Sequence, residues 1–383
     1  MPHLIVRCFT PFNTPLKENG AVFTFCSDGD EGICGVEMAD KNFLLRWFRH
    51  EKGTILKADK TTRPPLLNVV KHALFLLAAA GRSTIISRGM EDARADTHQA
   101  LFEPNSFLES LPPDQKLWIE IGFGSGRNML HNAKTYPDTL HLGVELHRPS
   151  AEQLLNRAKR EKLNNIAVII SDARAFMSAL GSASAERIIV HFPIPWDESP
   201  KRRVFTDSFV AQSLRVLKKG GILELRTDNE SYLQYVQESL KDVKEIKTQS
   251  YKNAEAAVSS KYEDRWKREN RDIYELIVTN LGASEAAGVR CDFSFKKPIS
   301  DKRAIGRLSN VSIVNERFIL KTRHIWRLLG GGAFFQLVFG AIESPSAIFL
   351  LIRNERAEYY PYNPLQTEQN ALSHKELLEV LYA

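Results

Sequence analysis

The spacing of apolar residues changes character twice along the chain. Over residues 1–115 the apolar runs are short and broken by turn signals such as CSDGDEG. Among them are a strand-like LLRWF and a longer helix-like run, LLNVVKHALFLLAAAGR, near residues 66–82. This predicts a small α+β domain. SLPPDQKL, at 110–117, reads as the linker that ends it, because two prolines among polar residues break both periodicities. From about 116 to 278 short apolar strands alternate with helical runs. LWIEIG, HLGVEL, AVIISD, RIIVHF, GILELRT and DIYELIVTN are the strands, and SAEQLLNRAKREK and DSFVAQSLRVL are among the helices. Such alternation predicts an α/β domain, a mostly parallel sheet with helices on both faces. NLGASEAAGV reads as a loop. The last segment has alternating strands in VSIVNERFIL and SAIFLLIRN and a terminal helix in SHKELLEVLY. Three domains are expected: 1–115, 116–285 and 286–383, the first and last both accessory α+β domains.

Composition narrows the class. The 383 residues are 43% hydrophobic and 26% charged, which fits a folded globular chain and excludes a disordered one. The net charge of +6 is modest, but its distribution is uneven. Residues 46–71 hold seven Lys/Arg against two acids, and residues 296–327 hold nine against two. These are either two solvated faces or a pair of basic lobes for phosphates. Cys8, Cys26, Cys34 and Cys291 match neither zinc-site nor disulfide-framework spacing, so reduced thiols and no metal are expected. MPHLIVRCF lacks the marks of a signal peptide, and no apolar run nears the roughly 20 residues needed to span a bilayer. A cytoplasmic protein without a membrane partner is the expectation, and a monomer is favoured.

The sharpest local constellation is EIGFGSG, Glu120 to Gly126. Gly122, Gly124 and Gly126 stand between a strand and a helix, where backbone can approach a ligand closely and helix amides point at it. A dinucleotide fingerprint would need glycine where Arg127 stands, and a Walker loop would need GK[ST]. The GxGxG form after an acid resembles the nucleoside-binding loop of class I S-adenosylmethionine methyltransferases. Two more acids end strands in series. Glu145 can accept both ribose hydroxyls. Asp172, with Ala173, can face adenine, or it can simply cap the helix ARAFMSAL.

At HFPIPWDESPKRRVF the resemblance becomes more specific. Together with EIGFGSG, TDNE and SKYEDRW, this stretch resembles the bacterial tRNA (guanine-N7)-methyltransferase family over roughly 116–278. The resemblance implies a class I, Rossmann-like core with a mostly parallel seven-stranded sheet. It also implies S-adenosylmethionine as cofactor, tRNA as partner, and methyl transfer to N7 of a variable-loop guanosine. Carried over residue by residue, the cofactor set is Glu120, Gly122, Gly124, Gly126, Glu145, Asp172 and Ala173. The substrate set is Phe192, Pro193, Trp196, Lys201, Arg202, Arg203, Thr227, Asp228, Ser260, Lys261 and Glu263, of which Asp228 and Glu263 are the catalytic pair. The family writes its fourth-strand motif FPDPW. This chain has Ile194 at the acid, so that acid's role is vacant or taken over by Asp197 or Glu198.

The chemistry tolerates the change. Neutral guanine N7 carries a lone pair and no proton, so methyl transfer needs placement and charge management but no general base. Trp196 offers a stacking face, Lys201, Arg202 and Arg203 suit phosphates or a carboxylate, and Arg127 and Asn128 can orient the methionine moiety or RNA. His191 reads as structural. Two other readings stay open at this level: a methyltransferase for another RNA or a small nucleophile, and a non-catalytic RNA-binding protein that keeps the fold.

Overall fold

Connection length decides which kind of sheet each part of this chain builds. The computed structural model describes residues 2–61, 67–89, 100–258, 261–284 and 291–383. The chain divides into two compact units. A central unit comprises His98–Val289 with Leu365–Thr367. A terminal unit comprises Met1–Thr97, Arg290–Pro364 and Glu368–Ala383, so the two segments expected as separate accessory domains fall into one unit.

In the first part of the terminal unit most of the strands are joined by short turns. They are β1 (His3–Arg7), β2 (Leu16–Glu18), β3 (Ala21–Cys26), β4 (Gly32–Met38), β5 (Lys41–His50) and β6 (Gly53–Ala58). Helix α1 (Leu67–Ala80) and β7 (Thr84–Arg88) follow. Turns of that length return the chain antiparallel. The resulting seven-stranded sheet has the order β2-β3-β4-β5-β6-β1-β7, and every pairing in it is antiparallel. One face carries Leu45, Trp47 and Leu56 against Leu74 and Leu77 of α1.

The central unit reverses the rule, because most of its connections contain a helix long enough to cross back. Its elements are β8 (Leu101–Phe102), α2 (Pro104–Ser110), β9 (Leu117–Ile121), α3 (Arg127–Thr135), β10 (Leu140–Glu145), α4 (Arg148–Arg160), β11 (Ile166–Ile170) and α5 (Ala173–Ala179). They continue as β12 (Ala185–His191), α6 (Asp207–Val216), β13 (Leu217–Thr227), α7 (Glu230–Leu240), β14 (Ile246–Lys252), α8 (Lys261–Arg268) and β15 (Tyr274–Asn280).

The expected seven-stranded, mostly parallel core sheet has to be corrected. The seven-stranded sheet of this protein is the antiparallel one of the terminal unit. The central sheet has eight strands in the order β14-β15-β13-β12-β9-β10-β11-β8, with five parallel pairings and antiparallel pairing at β13–β15 and β15–β14. The extra strand is β8, two residues from the segment the sequence assigns to the first domain; it pairs Leu101 with Val168 and Phe102 with Ile169. A two-residue strand has no period to read. The α/β fold is otherwise of the class I methyltransferase type, with extensions at both ends of the chain. Its core is built from Ile119, Ile188, Val190, Leu223 and Leu225 of the sheet and Phe176, Phe209 and Val236 of the helices.

The terminal unit is completed by α9 (Asp301–Leu308), β16 (Ser312–Val314), β17 (Ile319–Arg327), β18 (Ala333–Gly340), β19 (Ser346–Arg353), β20 (Arg356–Tyr360) and α10 (Glu368–Tyr382). VSIVNERFIL, expected as one strand, is a hairpin. Asn315 accepts from the amides of Arg317 and Phe318 and turns β16 back onto β17. Phe25, Ile33 and Leu44 of the first sheet pack with Trp326, Phe334, Phe349 and Tyr360 of this second one. Arg353 donates to the carbonyls of Thr24 and Thr14, at 2.9 and 3.2 Å. Burial of that many aromatic rings is worth well over about 10 kcal/mol before entropy is counted, enough to bind the two chain ends into one body.

Candidate active site

Strand order in the central sheet reverses between β9 and β12, since the chain runs from β9 out to β11 and then crosses to β12. The carboxyl ends of strands at such a reversal form the crevice in which α/β sheets bind ligands. The glycine loop leaves β9 there. Gly122, Gly124 and Gly126 all adopt left-handed backbone, with φ of 67°, 52° and 68°. A Cβ at Gly122 would meet nothing within 4 Å, and at Gly124 only the Gly122 carbonyl at 4.0 Å. The space in front of these two is open, as a ligand cradle requires. Gly126 is different: a Cβ there would lie 2.5 Å from Leu154 Cδ1, so its smallness serves helix packing.

Three carboxylates stand near the carboxyl ends of neighbouring strands, in unlike states. Glu145, at the end of β10, accepts from the amides of Leu146 (2.8 Å) and His147 (2.9 Å) through Oε1 and from Gly124 (3.3 Å) through Oε2. It is thereby fixed beside the loop with lone-pair capacity left for hydroxyl donors. Glu120, on β9, is buried and accepts from Asn128 Nδ2 at 2.9 Å. Burial pushes its carboxyl up to about 7, helped by Glu224 and opposed by His191 and the Asn128 bond. A cationic ligand group nearby would draw it back to the ionised form. Asp172 caps α5 through the Arg174 amide (2.9 Å) and pairs with the Arg174 guanidinium (2.8 Å). The capping role is the one the geometry displays. Ala173 opens α5, buried.

HFPIPW begins at the end of β12. His191 Nε2 lies 2.7 Å from Glu224 Oε1, and Arg187 pairs with the other Glu224 oxygen at 2.8 Å. Burial raises the Glu224 carboxyl, but the His191 hydrogen bond and the charges of His191, Arg187 and Arg226 outweigh it and leave it low. His191 is therefore structural, as its sequence context suggests. Phe192 donates to the Arg226 carbonyl (2.7 Å) and then takes φ of 51°; Trp196 repeats this at 46°. Two left-handed non-glycine residues within five positions cost about 1–2 kcal/mol each, and the surroundings must hold them. Arg203 does so. It is only 7% exposed, donates from Nε to the Pro195 carbonyl at 2.6 Å, reaches Asp197 at 3.3 Å, and lies 4.5 Å over the Tyr235 ring. That environment engages the guanidinium in pinning the loop, where the sequence suggests contact with a phosphate or a carboxylate. Arg202, beside it, is exposed and lies 4.2 Å over Trp196. Pro193 is half-buried, while Ile194 is 63% exposed, a large aliphatic chain left in solvent where the resemblance has an acid.

The expected catalytic pair separates into two situations. Asp228 follows the end of β13, partly exposed, and pairs with Arg271 at 3.2 Å. Glu263, on α8, is 1% exposed and accepts from Arg226 Nη2 at 3.0 Å. Arg226 also binds Glu275 of β15 (2.9 Å) and the Ala254 carbonyl (3.1 Å). Glu263 thus locks α8 onto the sheet. Arg127 of α3 pairs with Asp264 at 2.6 Å, which ties the start of α8 to the helix after the glycine loop, where the sequence suggests a ligand contact instead. Thr227 is buried, its hydroxyl accepting from the Asn229 amide at 3.1 Å. Ser260 lies outside the described residues, as do the side chains of Lys201 and Lys261. The sequence reading passes over Leu146, which is 69% exposed directly after Glu145. An exposed aliphatic residue beside a ribose-type acceptor suits the face of a base. Its only sequence signal is its place after a strand-ending acid.

A family model described as "Putative methyltransferase" matches residues 114–276. A curated tRNA (guanine-N(7)-)-methyltransferase of Wolinella succinogenes is 34% identical, covering 100% of both chains. One from Campylobacter fetus subsp. fetus is 34% identical over 100% of this chain and 99% of its own, and one from Helicobacter hepaticus 32% over 100% and 99%. The chain belongs to the bacterial tRNA (guanine-N7)-methyltransferase family. Membership extends to both chain ends, beyond the stretch in which the motifs are legible. Within this tRNA (guanine-N7)-methyltransferase, the glycine loop, Glu145 and Glu120 fit S-adenosylmethionine: open space before Gly122 and Gly124, a hydroxyl acceptor, and a buried acid for a cation. Among the described residues no group of three His, Cys, Asp or Glu could hold a metal ion. Among the described residues, too, no helix is long and apolar enough to cross a membrane.

Proposed function

We infer that this chain transfers a methyl group from S-adenosylmethionine to N7 of a guanosine in tRNA, and that the guanosine lies in the variable loop. The observation that carries the activity is full-length likeness to curated enzymes of that name, joined to a glycine loop with room for the cofactor. Bound S-adenosylmethionine supplies an electrophilic methyl on a sulfonium. The loop amides and Glu145 hold the nucleoside end, Leu146 takes the face of its base, and Glu120 answers positive charge. Trp196, on its strained turn, presents a ring for guanine, and base–aromatic stacking is worth about 1–3 kcal/mol. Asp228 accepts from the guanine edge in this reading and offsets the positive charge that grows on the base. No residue has to remove a proton, since N7 has none. Glu263 acts at one remove in this account, by seating α8. Cysteines without disulfide-framework spacing and the nature of the reactants fit a cytoplasmic setting. The test is direct. Purified protein, labelled S-adenosylmethionine and unmodified tRNA should give 7-methylguanosine, mapped by mass spectrometry to the variable loop. Label at another base would overturn the reaction, and label at another guanosine the position.

A further inference from the structure

The two basic stretches, 46–71 and 296–327, are more than 200 residues apart in the chain, yet the terminal unit brings parts of both onto one surface. Cross-strand pairing sets Arg46 opposite Lys57 and Phe48 opposite Ile55. All four lie on the face of the seven-stranded sheet away from α1. Part of this face, at Leu44, is covered by the second sheet. At that seam the Arg46 guanidinium lies 5.5 Å over the Trp326 ring, and His324 packs on the same ring at 4.1 Å. Pairing of His324 with Gln336 and of Lys321 with Val338 puts Lys321 on His324's face of β17. Lys57 lies 4.3 Å over the Phe48 ring, and Lys60 is exposed nearby.

The positive charges here outnumber their counter-ions. Asp59 sits 3.5 Å from Arg46, and Glu31 is near His324. Among the described residues Lys57, Lys60 and Lys321 form no ion pair. Burial, and then the like charges of Arg46 and Lys60, hold the Lys57 ammonium below its usual range against the pull of Asp59. Two of the cations are laid on aromatic rings, which limits their rotamers. Such an arrangement is relieved by a polyanion with regularly spaced charges, as on the phosphate backbone of a nucleic acid strand.

We propose that this face of the terminal unit is a second RNA contact, taking phosphates of the same tRNA that the central unit methylates. The proposal rests on tRNA being the substrate. The full chain with Lys57→Gln, Lys60→Gln and Lys321→Gln is compared with a charge-matched control, Lys41→Gln, Lys302→Gln and Lys375→Gln, also in the terminal unit. tRNA affinity is read by fluorescence anisotropy across a salt titration. The patch variant should bind about tenfold or more weakly at low salt, with the slope of log affinity against log salt reduced by about two to three. The control should stay within about twofold of the parent chain. Equal behaviour of the two variants would overturn the proposal while leaving the substrate reading intact; a parent chain that fails to bind tRNA would overturn both. Lys321→Gln alone, at an exposed strand position, should lower the slope by about one, and an unchanged slope there would also count against the proposal should the triple variant unfold.

Discussion

Replacing Glu263 by leucine removes one of the two carboxylates that hold Arg226, a guanidinium almost wholly out of water. Breaking a buried ion pair typically costs about 3–5 kcal/mol, because the remaining charge keeps its desolvation penalty. Glu275 stays at 2.9 Å and the Ala254 carbonyl at 3.1 Å, so the lower end, about 3 kcal/mol, applies. Glu263→Gln is milder: its amide oxygen still accepts from Arg226, and only the charge assistance goes, about 1 kcal/mol. The consequence is local, since Glu263 connects α8 to β13. Hydrogen–deuterium exchange of the amides in Lys261–Arg268 should therefore quicken more than a hundredfold in the leucine variant and less than tenfold in the glutamine variant. Turnover should follow the same order. The opposite pattern would refute this reasoning: unchanged exchange in both variants, with methylation already lost in Glu263→Gln. The carboxylate would then be reading guanine directly, as the motif alone suggests.

Three further outcomes follow from the site. The folded chain keeps a proton on Glu120 up to about pH 7 that the unfolded chain releases near 4.5. Stability from this group is full below pH 4.5 and falls as pH rises towards 7, by about 3 kcal/mol; Glu120→Gln should flatten that fall in denaturation curves, and an unaltered slope would count against the raised value. Gly124→Ala should cost about 1 kcal/mol of stability and at least tenfold in cofactor affinity by calorimetry. Gly126→Ala should lose mainly stability, through the 2.5 Å approach to Leu154; equal binding losses in both would contradict the division of roles. Arg203→Lys should lower the methylation rate by loosening the turn at Pro195, without changing the salt dependence of tRNA binding. A reduced salt slope would instead mean that Arg203 contacts phosphate.

Much of the central fold is legible because its strands are largely buried and its helices are amphipathic, so Ile166–Ile170 and Ile188–Val190 announce themselves as apolar runs between polar helices. The unread elements lack that signal. β14, IKTQSYK, is exposed at almost every position and has no apolar alternation. β8 has two residues. The union of the chain ends depends on Phe25 meeting Phe334 and Tyr360, contacts between residues more than 300 positions apart that local pattern does not encode. The site shows the same division. Glycines, and acids at strand ends, are readable because backbone geometry restricts which residues can stand there. Arg202 and Arg203 are indistinguishable in a basic run, and only Pro195, Tyr232 and Tyr235 make one structural and leave the other exposed. Glu263 reads, by resemblance, as half of a catalytic pair, and its hydrogen bond with Arg226, 37 positions earlier, has no signal in the local pattern.

The central claim is that the nucleophile is guanine N7 of tRNA and that no proton has to leave it. The most direct measurement compares two tRNA transcripts, one ordinary and one with 7-deazaguanosine in place of guanosine, under labelled S-adenosylmethionine. The account predicts label in the first, recovered as 7-methylguanosine, and none in the second although it binds. Comparable label in both transcripts would contradict it.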